Sequence, residues 1–385
     1  MTLYMIILMG LTGQVGYNGS RVAVSLYALN LGANQLEIGI LVALYAAFPM
    51  LLAVLVGRFV DRVGIRPPVI IGVLGMTVAL VLPPLFPGIT VLFVSCSLLG
   101  ISHLLFVLPL EACVGGIGGP EKRSANYAML SMGWSLANSL GPVVSGFSID
   151  HIGHVQAYWV LAGFSILPLL ILWLRPGLLP KAAPRAAAGK RGSVLELWRM
   201  PSLRAIFIIG AVINSAQNLF QFYFPIYGHA LGFSASVIGS ILGSVSVAAF
   251  MIRSILPRML KRWAEAKVLA GAVFVAAFAF ALLPFVKNPY ALAVIAFVLG
   301  LGTGCGNPLQ MSLLYLLTPR GRNAESVGLL RTAYNVSQLT VPIVFGMVGS
   351  AFGFSTVFLS NAVMLTAGGM LMRNTRITRA DSDPK

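Results

Sequence analysis

Gly57-Arg58-Phe59-Val60-Asp61-Arg62-Val63-Gly64-Ile65-Arg66 separates two long apolar runs. Arginines at this density cannot lie in hydrocarbon, so the stretch faces water or lipid headgroups. Gly57 and Gly64 allow a tight turn and a close approach of helix ends. Asp61 is a lone acid among bases, suited to capping a helix start or attracting a helix N-terminus. The reading is a cytoplasmic connection between two membrane helices.

Working outward, composition supports that reading. The 385 residues are 58% hydrophobic and only 9% charged, where a soluble chain carries about 25% charge. Mean hydropathy is +0.89, which indicates a polytopic membrane protein. The net charge of +16 does not indicate nucleic acid, because the bases are distributed by loop. Of the 26 Lys and Arg, all but Lys287, Arg21, Arg253 and Arg331 fall in alternate connections. Lys287 sits in an opposite-side loop and the three arginines lie within apolar segments. This asymmetry predicts both termini in the cytoplasm of a cell (inner or plasma) membrane. The cysteines, Cys96, Cys113 and Cys305, are scattered and lack metal-ligand spacing.

Twelve apolar runs can be drawn, each near the roughly 20 residues a spanning helix needs. They cover 3–29, 36–56, 68–87, 90–112, 125–147, 156–174, 204–229, 235–256, 267–286, 290–317, 325–350 and 355–373. Residues 175–203 are rich in Pro, Ala and bases and read as a cytoplasmic linker between halves 1–174 and 204–373, followed by a tail at 374–385. Within the linker, Val194, Leu197 and Trp198 fall at helical spacing, which predicts a short helix on the inner leaflet. The halves repeat at an offset of 200: Asn18 and Asn218, Gly32 and Gly232, Gly100 and Gly300, Pro142 and Pro342, Gly153 and Gly353. The second copy of the opening stretch is degenerate, with Pro257, Lys261 and Ala264 at the positions of Gly57, Asp61 and Gly64.

Two motifs carry a family resemblance. Gly57, Asp61, Arg62, Gly64 and Arg66 fall where the loop between helices 2 and 3 of major facilitator transporters carries G-x-x-x-D-R-x-G-x-[RK]. Gly141-Pro142-Val143-Val144-Ser145-Gly146 is similar to the G-P-x-x-G-G signature of drug/proton antiporters, with Ser145 replacing one glycine. The chain resembles that superfamily over nearly its whole length. The resemblance implies an all-α membrane protein with twelve transmembrane helices in two pseudo-symmetric six-helix bundles. It also implies that helices 1, 4, 7 and 10 line a central cavity and that the Asp61 loop gates it. One departure is Cys96, which stands where such antiporters often carry an arginine in helix 4.

Polar residues inside apolar runs are costly and usually face the bundle interior. Gln14, Asn18 and Arg21 share one face of helix 1, and Asn214, Gln217, Asn218 and Gln221 occupy the repeat-related helix 7. His103, Asn307, Gln310, Asn335 and Gln338 complete the expected substrate cavity. Arg21 is the expected anchor for an anionic or carbonyl-bearing group, with a structural ion pair to Glu37 or Glu111 as the alternative. Glu111 and Arg331 join Gly57, Asp61, Arg62, Gly64 and Arg66 as coupling or gating residues. Gly141, Pro142 and Gly146 are expected to pack and bend helix 5. Arg253 is expected to snorkel to the cytoplasmic surface.

The function expected is secondary active transport by alternating access, as proton-coupled export of a small organic solute of anionic or amphipathic character. A lipid or lysolipid flippase on the same fold, or a facilitator or anion exchanger without proton coupling, are the alternatives. No HExxH, paired aspartates or Gly-x-Ser-x-Gly placed for nucleophilic chemistry points to an enzyme. The partners expected are a small-molecule substrate, protons and membrane lipids. No nucleic acid, cofactor or metal is expected, and the chain should be a monomer.

Overall fold

The computed structural model describes residues 2–117, 123–179, 194–319 and 322–374, and among these all regular elements are helical. The first run of helices is α1 (Thr2–Asn30), α2 (Gln35–Val63), α3 (Arg66–Leu85), α4 (Ile89–Gly116), α5 (Arg123–Ile152) and α6 (Ala157–Leu174). The short α7 (Val194–Arg199) follows. The second run is α8 (Pro201–Ala230), α9 (Ala235–Leu260), α10 (Glu265–Leu282), α11 (Pro289–Gly304), α12 (Gly306–Leu317), α13 (Asn323–Phe352) and α14 (Phe354–Asn374).

Each of the twelve apolar runs coincides with helix. The run over 290–317 differs in being two helices, α11 and α12, joined at Cys305. Pro308 lies in the first turn of α12, where its missing N–H costs no intrahelical bond. Ten segments among the described residues are long and apolar enough to cross a membrane. The long helices outside that set, α1 and α5, carry polar side chains that pair with each other: Asn18 Nδ2 donates to Asn138 Oδ1 at 2.7 Å. Many large side chains on the other helices face outward, including Leu51, Trp173 and Val363. In water such exposure would be an aggregation hazard; in lipid it is the expected surface.

The internal repeat is visible in backbone geometry. Gly32 and Gly232 close the first helix of each half at φ 83° and 78°. The hydrogen bonds around them match: Leu31 N to Tyr27 O and Leu231 N to Tyr227 O are both 3.0 Å. Gly153 and Gly353 repeat the device at φ 89° and 79°. A Cβ on Gly100 would stand 2.8 Å from the Tyr45 carbonyl oxygen, and one on Gly300 would collide with the carbonyl of Val245, the repeat equivalent of Tyr45. Gly64 (φ 87°) has no such twin, since Ala264 sits at φ −64°.

The chain divides into two compact units, Met1–Ala186 with Gln221–Gly243, and Ala187–Phe220 with Ser244–Lys385. In the first, α1 and α5 approach through glycine, a Cβ on Gly19 standing 2.9 Å from the Gly141 carbonyl. In the second, Gly302 lies against Ala272 and Gly304 against Ala249. The alternating glycines of α11 thus serve close helix packing. The segment α7 docks on its own unit: Leu197 is fully buried, Trp198 stacks on Phe207 with centroids 6.0 Å apart, and Glu196 pairs with Arg322 at 2.7 Å. The expected short helix thus forms, and its Leu197 packs into its own unit.

Candidate functional site

The polar stripe of α1 forms a connected cluster in the first unit. His103 on α4 shares a hydrogen bond with Gln14, Nε2 to Oε1 at 2.6 Å. Tyr17 lies one turn on from Gln14 and stacks on the His103 ring, centroids 3.6 Å apart and planes 9° from parallel. Tyr45 meets Tyr17 edge-on at 5.4 Å and is held through its hydroxyl, 2.9 Å from Ser20 Oγ. One turn beyond Tyr17, Arg21 Nη1 donates to Gln221 Oε1 at 2.8 Å. Tyr223 OH donates to Gln35 Oε1 at 2.7 Å nearby in the sequence of α8. Gln14, Tyr17, Asn18 and Arg21 follow the i, i+3, i+4, i+7 rule, which is why one helix can present them together.

The second unit holds its own polar group. Tyr334 OH lies within hydrogen-bonding reach of both Asn307 Oδ1, at 3.2 Å, and Gln310 Oε1, while Gln310 Nε2 is buried with no partner among the described residues. Gln217 Nε2 donates to the Thr303 carbonyl at 3.2 Å. Asn218 Nδ2 is taken up within α8 by Asn214, through both its carbonyl and its Oδ1 at 2.8 Å. Asn335 and Gln338 are half-buried on α13. Of the expected cavity residues, Gln14, Arg21, His103 and Gln221 are therefore brought together, and Asn307 with Gln310.

Some expectations are corrected. Glu37 is not the partner of Arg21: its carboxylate accepts from Asn34 N at 2.8 Å in a capping box at the start of α2. Arg253 is half-buried, and its Nε donates to the Gly304 carbonyl at 2.9 Å. Gly57 is inside α2 with open space around it, so the turn is made by Gly64 alone, with Arg62 in the last turn of α2 and Arg66 opening α3. Asp61 falls in that last turn, but its side chain lies outside the described residues. Glu111 offers its carbonyl to Tyr127 OH at 3.1 Å, and Arg331 is exposed on α13. The residues that sequence reasoning missed are Tyr17, Tyr45, Asn138 and Tyr334. Tyr17 and Tyr334 each neighbour a residue it had singled out, and helical register alone pointed to Tyr17.

The motif Gly141-Pro142-Val143-Val144-Ser145-Gly146 packs on α9 within the first unit. A Cβ on Gly146 would strike the Ala235 carbonyl, and one on Gly239 would strike that of Pro142. Ser139 Oγ donates to the Gly243 carbonyl at 3.2 Å. Beyond this glycine seam, the carboxylate of Asp150 accepts from Ala235 N at 2.9 Å and Ser236 N at 2.7 Å.

The family model of the Major Facilitator Superfamily matches residues 6–288 and again 231–384. The chain belongs to the Major Facilitator Superfamily. It is a multi-pass membrane transporter of that family, whose members carry small-molecule substrates. Among curated relatives, the multidrug resistance protein MdtG of Dickeya zeae (strain Ech586) is 23% identical, over 89% of this chain and 87% of that protein. The MdtG protein of Klebsiella pneumoniae (strain 342) is also 23% identical, over 80% and 75%. Among solved structures, a peptide transporter POT aligns with a TM-score of 0.82 at 15% identity, covering 96% of this chain and 93% of that one. A bacterial homologue of the lysosomal transporter Spinster, inward-facing and occupied, gives 0.79 at 14% identity over 99% and 98%. These structural likenesses establish the fold.

Proposed function

We propose that this transporter exports a small organic solute of anionic or amphipathic character, in exchange for protons, by alternating access. The observation that carries the reading is the α1–α4 cluster. A guanidinium at Arg21 follows a stacked Tyr17–His103 pair by one helical turn, in a stripe otherwise made of neutral amides. A cation beside aromatic faces suits a planar or amphipathic anion, the charge meeting Arg21 and the apolar body meeting the rings. The MdtG relatives are named for multidrug resistance, which supports the export direction. Glu111 is the proposed proton-coupling acid. Gly57, Asp61, Arg62, Gly64, Arg66 and Arg331 are the proposed gating set. Both termini are placed in the cytoplasm, on the strength of the basic loops.

The test uses purified protein and a panel of organic anions and their neutral isosteres. A ligand that binds only the folded state raises its apparent stability. Anions should raise the melting temperature of the wild type, and Arg21→Ala should lose at least tenfold in apparent affinity, about 1.4 kcal/mol, for the anion relative to its neutral isostere. Equal loss for both would assign Arg21 a structural role. In proteoliposomes, uptake of a stabilising anion should follow an imposed pH gradient. Flux indifferent to that gradient would replace proton exchange with facilitated diffusion.

A further inference from the structure

A cavity of about 480 Å³ opens at the basic-loop end of the second unit, between the start of α10 and the end of α14. Its wall is one face of α10: Ala266 and Lys267, then Ala270 and Gly271, then Phe274. These positions advance by four and then by three or four, the repeat of a single helix face. Met372 and Arg373 of α14 form the other wall. Phe274 is fixed from behind, since a Cβ on Gly369 would stand 3.0 Å from its ring.

The charge at this site is one-sided. Lys267 and Arg373 are both exposed at the mouth, and among the described residues no acid lines the cavity. The nearby acid, Glu265, is not among the lining residues: its Oε1 accepts from Ser312 Oγ at 2.8 Å, and its Oε2 is buried without a hydrogen-bond partner among the described residues. Below the two cations the lining is wholly apolar. From Lys267 to Phe274 the helix descends about 10 Å at ~1.5 Å per residue, roughly the depth from a headgroup phosphate past the glycerol esters into the first methylenes. Small side chains leave the floor open: a Cβ on Gly271 would meet nothing within 4 Å.

We infer that this groove is a binding site for one anionic phospholipid of the inner leaflet. The phosphodiester sits between Lys267 and Arg373, and an acyl chain lies along Gly271 and Phe274. A free phosphate would use the two cations but leave the apolar trough unfilled; a zwitterionic lipid would fill the trough but bring an ammonium beside two cations. Basic pockets between membrane helices on the cytoplasmic side suit anionic headgroups for this reason. The choice of leaflet rests on the orientation proposed above, whereas binding itself does not.

The experiment is native mass spectrometry of the full chain in detergent, titrated with phosphatidylglycerol or phosphatidylethanolamine of identical acyl chains. The wild type should retain one phosphatidylglycerol with roughly tenfold preference, as expected for two surface cations. The double variant Lys267→Gln/Arg373→Gln should bind both lipids alike. Gly271→Leu keeps both charges, meets no Cβ obstacle and fills the trough, so it should lose the retained lipid. Size-exclusion profiles should show all variants folded. Equal retention of the two lipids by the wild type would overturn the site. So would undiminished preference in the charge variant, retention by Gly271→Leu, or displacement of the lipid by millimolar glycerol phosphate. Because the measurement is made in detergent, an inverted topology would leave its outcome unchanged.

Discussion

Gly64 shows how much one residue can decide. It ends α2 at φ 87° and ψ −172°, a region closed to side chains, and its N–H returns to the Val60 carbonyl at 2.9 Å. Gly64→Ala should therefore cost about 1–3 kcal/mol, read as a lower midpoint in thermal unfolding. Ala264→Gly at the repeat position should change little, because Ala264 is already extended at φ −64°. Equal effects at the two sites would show that the strain is not local. Spacing alone assigns both glycines of the opening stretch the same work; only the backbone shows that Gly57 sits inside a helix while Gly64 makes the turn. Arg21 was legible as an intramembrane cation, yet its Gln221 partner was not. The two are separated by 200 residues, and no local pattern links them.

At the scale of elements, the ends of α2 and α9 solve the same problem with different parts. Asn34 caps α2 in a reciprocal box with Glu37. The repeat position of Glu37 is Val237, so α9 has no acid of its own in the first turn. Asp150, at the end of α5, supplies the carboxylate to Ala235 and Ser236 instead. Partial burial raises the Asp150 pKa, and the donors from Ser236, Ala235 and Ser234 together outweigh it, leaving the carboxyl below its usual 3.8. A folded pKa below the unfolded one gives stability that is complete above 3.8 and is lost as pH falls through the folded value. Asp150→Asn should therefore melt earlier than wild type near neutrality, by no more than about 0.5 kcal/mol because solvent screens this exposed carboxylate, and the gap should close below pH 3.8. A gap that persists in acid would point to packing. His154 acts in a separate window: burial first, then the charge of His229, push its pKa below 6.5 against the pull of Asp150. Stability from His154 is thus full above 6.5 and declines as pH falls.

For the whole molecule, the proposed gate at Asp61 concerns motion more than stability. Asp61→Asn should leave the melting temperature near wild type while lowering solute flux at least tenfold, about 1.4 kcal/mol on the transport barrier, measured in proteoliposomes. Wild-type flux would remove Asp61 from the gate. The second repeat carries Lys261 there, so gating through this loop would be asymmetric between halves. Hydropathy, basic-loop spacing and the 200-residue offset by themselves located the apolar helical runs and the internal duplication, but not the division of 290–317 into α11 and α12. They could do so because hydrocarbon forces each spanning segment to satisfy its own backbone and confines charge to its ends. Tertiary structure alone decided which polar side chains meet. It set His103 on Gln14 and Tyr17, turned Glu37 to its own helix cap, drew Arg253 to Gly304, and left a basic-mouthed groove between α10 and α14. Those pairings depend on rotation and close approach of helices distant in sequence, which spacing along one helix does not encode.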